Sequence, residues 1–257
     1  MTGKKIALVL SGGAARGFSH IGAVRVLLEH KIPIDLIVGT SAGSFVGAAM
    51  ASGLTGDEIV KLGEKIGWSN MVRPAFSVKA LLSSSPIGRF VTQNIPCRNI
   101  EDTEIPFAAV AYDLIERNVV IAKEGNLASA VQASCAVPGL FTPVFENGRV
   151  LVDGGVIAPL PTDIAREMGA DVVIGVDLLA AGATFHKRPW TAAGIMIQSG
   201  MRLLRTASDS QNTKPDITIV PQIAHLRPDQ ISRRDEFVRL GEESTLGLID
   251  QIKAVVG

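Results

Sequence analysis

Twice near its N-terminus the chain repeats one pattern: a short, unbroken apolar run, a glycine-containing turn, then a helix-forming stretch. Ile6-Ala7-Leu8-Val9-Leu10 runs into Ser11-Gly12-Gly13-Ala14-Ala15-Arg16-Gly17, after which Ile21, Val24, Leu27 and Leu28 share one helical face up to His30-Lys31. Ile34 to Val38 then runs into the turn Gly39-Thr40-Ser41-Ala42-Gly43, and Ser44 to Ser52 reads as a helix of small residues. Apolar runs without polar alternation are strands covered on both faces, which is the habit of a parallel sheet between layers of helices.

The rest of the chain keeps to that plan. Phe107 to Tyr112 and Asn118 to Ala122 read as strands around a turn at Glu116-Arg117, Leu127 to Ser134 as a helix ended by Pro138-Gly139, and Val150 to Val152 as a short strand. Pro161 to Met168 predicts a helix, Val172 to Leu178 and Ile217 to Val220 predict strands, and Asp235 to Val255 predicts a closing helix. Thr55 to Asn99, rich in Ser, Pro and Gly, is expected to be less regular. The alternation implies a three-layer α/β/α fold with a mainly parallel central sheet. No repeat or linker divides residues 1–257, so one domain is expected.

Composition narrows the partners. Lys plus Arg and Asp plus Glu both number 25, so the net charge is zero and no global field draws the protein to nucleic acid or an anionic membrane. No apolar stretch is long enough to span a bilayer; Phe45 to Leu54 comes nearest, and the run after Met1 is cut short by glycines. Cys97 and Cys135 have neither metal-ligand spacing nor disulfide density. The expectation is a soluble, cytoplasmic protein with no metal and no cofactor.

Gly39-Thr40-Ser41-Ala42-Gly43 fits G-x-S-x-G, the turn that exposes a serine hydroxyl between a strand and a helix whose N-terminal dipole favours negative charge. Ser41 can equally be an ordinary helix N-cap. The Gly12–Gly17 loop can present successive amides to an anion, or be a tight strand-to-helix turn. Its spacing is not that of a dinucleotide site, which also needs an acidic residue at the end of the second strand, and it has no Gly-Lys-Ser or Gly-Lys-Thr. For a base, His20 and His30 are expected at the surface or cap of the first helix. His186 and His225 follow in the Ser–Asp–His order of α/β-hydrolases, a fold that builds several strands before its nucleophile, whereas only one fits here ahead of the strand that leads into Ser41. The carboxylate alternative is Asp153 in Leu151-Val152-Asp153-Gly154-Gly155; an aspartate before glycine is also a common turn residue.

Together these pieces resemble the patatin-like phospholipase family. Gly12–Gly17 resembles its G-G-G-x-[RK]-G oxyanion loop, Gly39–Gly43 its G-x-S-x-G elbow, and Asp153-Gly154-Gly155 its D-G-[GA] motif, in the same order and at similar separations. Ala133 to Gly139 with Phe141 and Pro143, Pro159-Leu160-Pro161 and Gly169-Ala170-Asp171 extend the likeness, which covers Lys4 to Leu178. The resemblance implies a Ser–Asp dyad: Ser41 attacks an acyl carbonyl, Asp153 takes its proton and later activates water, the amides around Gly12, Gly13 and Ala14 hold the oxyanion, and Arg16 shapes the loop. Gly17, Gly39, Gly43, Gly154 and Gly155 are the motif glycines.

Two departures stand out. Ala14 replaces the third loop glycine, and its methyl restricts the loop to negative φ unless strain is accepted. Ala158 stands where asparagine is frequent before Pro-Leu-Pro. The substrate class implied is a lipid acyl ester, phospholipid or lysophospholipid, with a transient contact at a membrane surface. Met71 to Phe76, Ala80 to Leu82, and Ile87, Phe90 and Val91 are candidates for an apolar lid or for ordinary core. The rival classes are a non-catalytic regulatory protein that keeps the fold and a nucleotide-binding α/β protein.

Overall fold

The computed structural model describes residues 3–75, 80–182, 192–209 and 213–257. Phe76 and His186, singled out above, lie outside the described residues. Among those residues the chain forms β1 (Ile6–Leu10), α1 (Phe18–Glu29), β2 (Leu36–Thr40), α2 (Ala42–Ala51), α3 (Gly56–Glu64), α4 (Trp68–Met71) and α5 (Ser85–Asn94). It continues with β3 (Phe107–Asp113), β4 (Asn118–Ala122), α6 (Leu127–Ser134), β5 (Val144–Glu146), β6 (Arg149–Asp153), α7 (Thr162–Glu167) and β7 (Val172–Val176). α8 (Ala192–Asp209), β8 (Ile217–Ile219), α9 (Arg234–Leu246) and α10 (Ile249–Val256) complete it.

The apolar runs behave as their lack of alternation requires. β1, β2 and β7 are buried at every residue, and β1 pairs in parallel with both β2 and β7. One face, with Leu8, Leu10, Ile37 and Ile174, packs under α1, α2, α5 and α9 through Val24, Phe45, Phe90 and Phe237. The other, with Ala7, Val9, Val38 and Val173, packs on Leu160 and on Ile164 and Ala165 of α7. The sheet is thus the middle of three layers. No helix among the described residues is long and apolar enough to cross a membrane.

Several expectations need correction. β2 runs on through Gly39 and Thr40, which pair with Ala109 and Val110 instead of turning. The stretch expected to be irregular holds α3 and α5. α3 begins with a capping box in which Thr55 and Glu58 satisfy each other's amides, and α5 has proline in its first turn. Ile87, Phe90 and Val91 are buried core, with the Phe90 ring 5.7 Å from that of Phe45, so they do not line a lid. The closing helix is two, because the amides of Gly247 and Leu248 tighten onto Glu243 and Thr245 and turn the chain. α8 and the edge strand β5 were not expected at all.

One feature of the sheet positions everything that follows. β3 has three partners but only two edges. β4 runs antiparallel along one edge, from Ala109↔Ala122 to Asp113↔Asn118. The other edge is shared end to end: β2 occupies it up to Thr40↔Val110, and β6, arriving from the opposite direction, takes over at Ala111↔Asp153. The last residues of β2 and β6 therefore meet head to head at adjacent positions of one strand.

α1 and α9 touch backbone to backbone. A Cβ on Gly22 would lie 2.0 Å from the Val238 carbonyl oxygen, and one on Gly241 would lie 2.1 Å from that of Ser19. Alanine in a helix interior ordinarily gains about 1 kcal/mol over glycine, but overpacking a contact that only backbone can relieve costs about 1–3 kcal/mol. Gly22→Ala and Gly241→Ala are each expected to lower unfolding stability by at least about 1 kcal/mol, read from urea denaturation midpoints at unchanged m-value.

Candidate active site

Ser41 is the first residue beyond β2 and the N-cap of α2, with φ 53 and ψ −124, and its side chain makes no capping bond. A non-glycine residue in this left-handed region costs free energy that its surroundings must offset. The surroundings are tight. A Cβ on Gly39 would meet the Gly43 carbonyl carbon at 2.6 Å, and one on Gly43 would meet the Leu10 carbonyl oxygen at 2.2 Å. These two glycines are required for close approach, since neither has positive φ. Hydroxyls hold the backbone around the turn: Thr40 Oγ1 donates to the Ala158 carbonyl at 2.8 Å and Ser44 Oγ to the Ser41 carbonyl at 2.7 Å. The Ala158 position thus contributes through its backbone, whatever its side chain.

The glycine loop after β1 lies against this turn. A Cβ on Gly12 would sit 3.4 Å from that of Ser41, and one on Gly17 would sit 2.6 Å from that of Ala42. Ala14 adopts φ 51, so the strain that its methyl brings is accepted. Arg16 is 2% exposed and donates to the carbonyls of Leu178, Gly182 and Leu226 at 3.1 to 3.2 Å, stapling the loop to the segments after β7 and before α9. Burial lowers its pKa to about 10, which still leaves a positive charge beneath the loop at neutral pH. Gly12 departs from expectation: its amide donates to the Pro159 carbonyl at 2.9 Å and is already taken, whereas Gly13 and Ala14 make no such bond among the described residues.

Asp153 ends β6 and is 5% exposed. Its Oδ1 accepts the Gly155 amide at 2.8 Å. A Cβ on Gly154 would strike the Val110 carbonyl oxygen at 2.4 Å, so the chain can leave β6 beside β3 only with glycine there. Burial pushes the Asp153 carboxyl up to about 6, while hydrogen bonding from the Ser41 hydroxyl and the Gly155 amide holds it down. Close to both lies Cys135, whose thiol is pushed up by burial and by the Asp153 charge, and so stays protonated.

The described histidines are accounted for elsewhere. His20 is not at the helix surface: it is fully buried, with Nε2 2.7 Å from the Ser11 carbonyl oxygen. Since a carbonyl only accepts, Nε2 carries the proton, and burial lowers the ring's pKa to about 4, keeping it neutral. His30 is the C-cap of α1, and His225 pairs with Glu236 at 3.1 Å. Ser134 was not singled out by sequence, and its hydroxyl accepts the Ser41 amide at 2.9 Å; it lay within the recognised Ala133–Gly139 stretch, but a serine at a helix end carries no sign of its distant partner.

The raised Asp153 pKa has a consequence for stability. The folded state binds this proton more tightly than the unfolded chain, so folding is favoured below the unfolded value of about 4 and loses stability as pH rises through about 6. At about 1.4 kcal/mol per unit, the cost at neutral pH is about 3 kcal/mol. Asp153→Asn is therefore expected to raise unfolding stability at pH 7.5 by about 1–3 kcal/mol, with the gain vanishing below pH about 4, as read from urea unfolding across pH.

Residues 8–166 match the family model for patatin-like phospholipase. The chain is 36% identical over 186 residues to patatin-like phospholipase domain-containing protein 6 of Homo sapiens, covering 69% of this chain and 14% of that protein. It is 35% identical over 177 residues to an uncharacterized NTE family protein of Mycobacterium tuberculosis, covering 68% of this chain and 49% of that one. It therefore spans about a seventh of the length of the human relative. The crystal structure of VipD from Legionella pneumophila superposes with a TM-score of 0.57 at 16% identity, over 96% of this chain and 67% of that one, a likeness of fold. By the family model and by these relatives' sequences, this chain belongs to the patatin-like phospholipase family.

Proposed function

We propose that the chain is a serine hydrolase of lipid acyl esters, with Ser41 as nucleophile and Asp153 as its base. The observation that carries this reading is the shared edge of β3, on which β2 ends at Thr40, just before Ser41, at the position next to the one that the buried Asp153 occupies at the end of β6. Ser41 Oγ attacks the acyl carbonyl carbon as Asp153 takes its proton. The amides of Gly13 and Ala14 face the developing oxyanion, with the buried Arg16 charge and the N-terminus of α2 adding a fixed positive field. The alkoxide leaving group departs with the proton held by Asp153. Water then gives a proton to Asp153 and attacks the acyl-serine; the Ser41 oxygen leaves and takes that proton back, releasing the fatty acid.

A carboxylate with pKa near 4 is a weak base for a hydroxyl, and burial that raises Asp153 to about 6 narrows that gap. A lipid substrate is supported by apolar side chains that follow the dyad motif: Val156 and Ile157, 44% and 50% exposed, come directly after Gly155, and Leu114 and Ile115 are exposed at the β3–β4 turn. These side chains also support a transient contact with a lipid surface.

Labelling by a fluorophosphonate probe, which reacts with activated serines, is expected for wild type and absent for Ser41→Ala. Ser41→Ala and Asp153→Asn should each lower turnover of lysophospholipid by at least about 10³-fold, since the pair acts as a unit, while His225→Ala keeps most of it. In wild type kcat/KM should rise with pH through about 6, as Asp153 loses its proton. A folded wild type that neither labels nor turns over lipid esters would turn the reading toward a non-catalytic role. Flotation with phosphatidylcholine liposomes tests the surface contact, and complete absence of co-migrating protein counts against it.

A further inference from the structure

In a parallel ladder, alternate amides of one strand go to alternate carbonyls of the next. Between β2 and β3 the series begins with the Ile37 amide on the Pro106 carbonyl at 2.8 Å. The register, Ile37↔Phe107 through Thr40↔Val110, carries it to Gly39 on Ala108 and then to Ser41 on Val110. That last rung is not made directly. The Ser134 hydroxyl, at the C-terminal end of α6, stands inside it, accepting the Ser41 amide at 2.9 Å and donating to the Val110 carbonyl at 2.6 Å. Ser134 and Val110 are fully buried and Ser41 is 8% exposed.

We propose that Ser134 is a positioning residue whose hydroxyl, spliced into the final rung of the β2–β3 ladder, holds Ser41 in its reactive conformation. The inference rests on the reading of Ser41 as nucleophile. A direct rung would keep Ser41 extended along β3. With an oxygen inserted, the amide and carbonyl are both satisfied while the backbone peels away from the sheet to φ 53. A hydroxyl suits the gap because it offers one donor and still accepts. The same turn also holds the other half of the pair, because the Ala136 carbonyl accepts the Asp153 amide at 3.0 Å. Two residues apart, Ser134 and Ala136 thus grip the backbones of Ser41 and Asp153. Ser44 holds the Ser41 carbonyl from within the same helix and gives no tie to β3.

The test compares wild type, Ser134→Ala and Ser134→Thr in steady-state hydrolysis of p-nitrophenyl butyrate and in the rate of fluorophosphonate labelling, with thermal melting alongside. A displaced nucleophile loses the reacting geometry and leaves binding untouched. Ser134→Ala is therefore expected to lower kcat and the labelling rate by about 10- to 100-fold with KM within about twofold, and Ser134→Thr, which keeps the hydroxyl, should recover to within about threefold of wild type. A folded Ser134→Ala with kcat within about twofold of wild type overturns the proposal, as does a folded Ser134→Thr that falls as far as the alanine variant. Should Ser134→Ala not fold, Ser134→Cys, with its weaker acceptor, carries the same test: a fall of about 10-fold supports the proposal and wild-type kcat overturns it. Ser41→Ala run in parallel separates the two failures. Turnover that survives in Ser41→Ala sinks the nucleophile reading itself, whereas loss there with wild-type kcat in Ser134→Ala sinks only the role of Ser134.

Discussion

The arrangement depends on one constraint of β-sheet geometry: a strand has two edges, and β3 must serve three partners. Because β4 fills one edge, β2 and β6 divide the other. Both strands have to end where they meet: β2 stops at Thr40, so that Ser41 leaves the ladder, and β6 stops at Asp153, opposite Ala111. That is how Ser41 and Asp153, far apart in sequence, reach neighbouring positions without a long loop to carry either of them. A side chain placed by a paired strand is held more closely than one placed by a loop. The antiparallel entry of β6 into a parallel sheet is therefore what brings Asp153 to Ser41.

The junction is costly, and the costs are met locally. Ser41 and Ala14 both sit at positive φ, each at a cost on the order of 1–3 kcal/mol. Arg16 is buried with backbone carbonyls as hydrogen-bond acceptors, so its charge is met by dipoles and remains available to the loop above it. Asp153 is buried, which is why its proton is bound more tightly than in water even though the Gly155 amide and the Ser41 hydroxyl donate to its carboxylate. Such spending is tolerable because β1, β2 and β7 and the two helical layers form a core with almost no exposed surface. The stable part of the molecule supports a strained part.

Much of this was legible. The bounds of β1 and α6 follow from hydrophobic runs and a proline stop, and three glycine-bearing motifs in the right order carry the family resemblance, which implies Ser41 and Asp153 as a pair. What misled was local. Gly39 reads as a turn residue, yet it is paired in β2 and is glycine because Gly43 and Ser44 pass over it. The Thr55–Glu58 capping box was a readable helix start inside a stretch whose Ser, Pro and Gly content suggested irregularity. His20 looks like a polar residue on an amphipathic helix, but its ring is fully buried against the Ser11 carbonyl just beyond β1. No periodicity announces that a carbonyl will be waiting there.

The amino-acid sequence by itself determined the layered α/β plan and the family, because apolar runs and glycine motifs are each written in a few adjacent residues; that Ser41 and Asp153 are the reacting pair is what the family resemblance implies. Only the tertiary structure decided how those groups meet. The edge of β3 that β6 takes, the Gly12 amide lost to Pro159, the buried neighbours that raise Asp153 and the Ser134 hydroxyl between Ser41 and Val110 all join residues remote in sequence. Hydrogen bonds and burial of that kind depend on where the chain returns in space, and local residue preference carries no record of it.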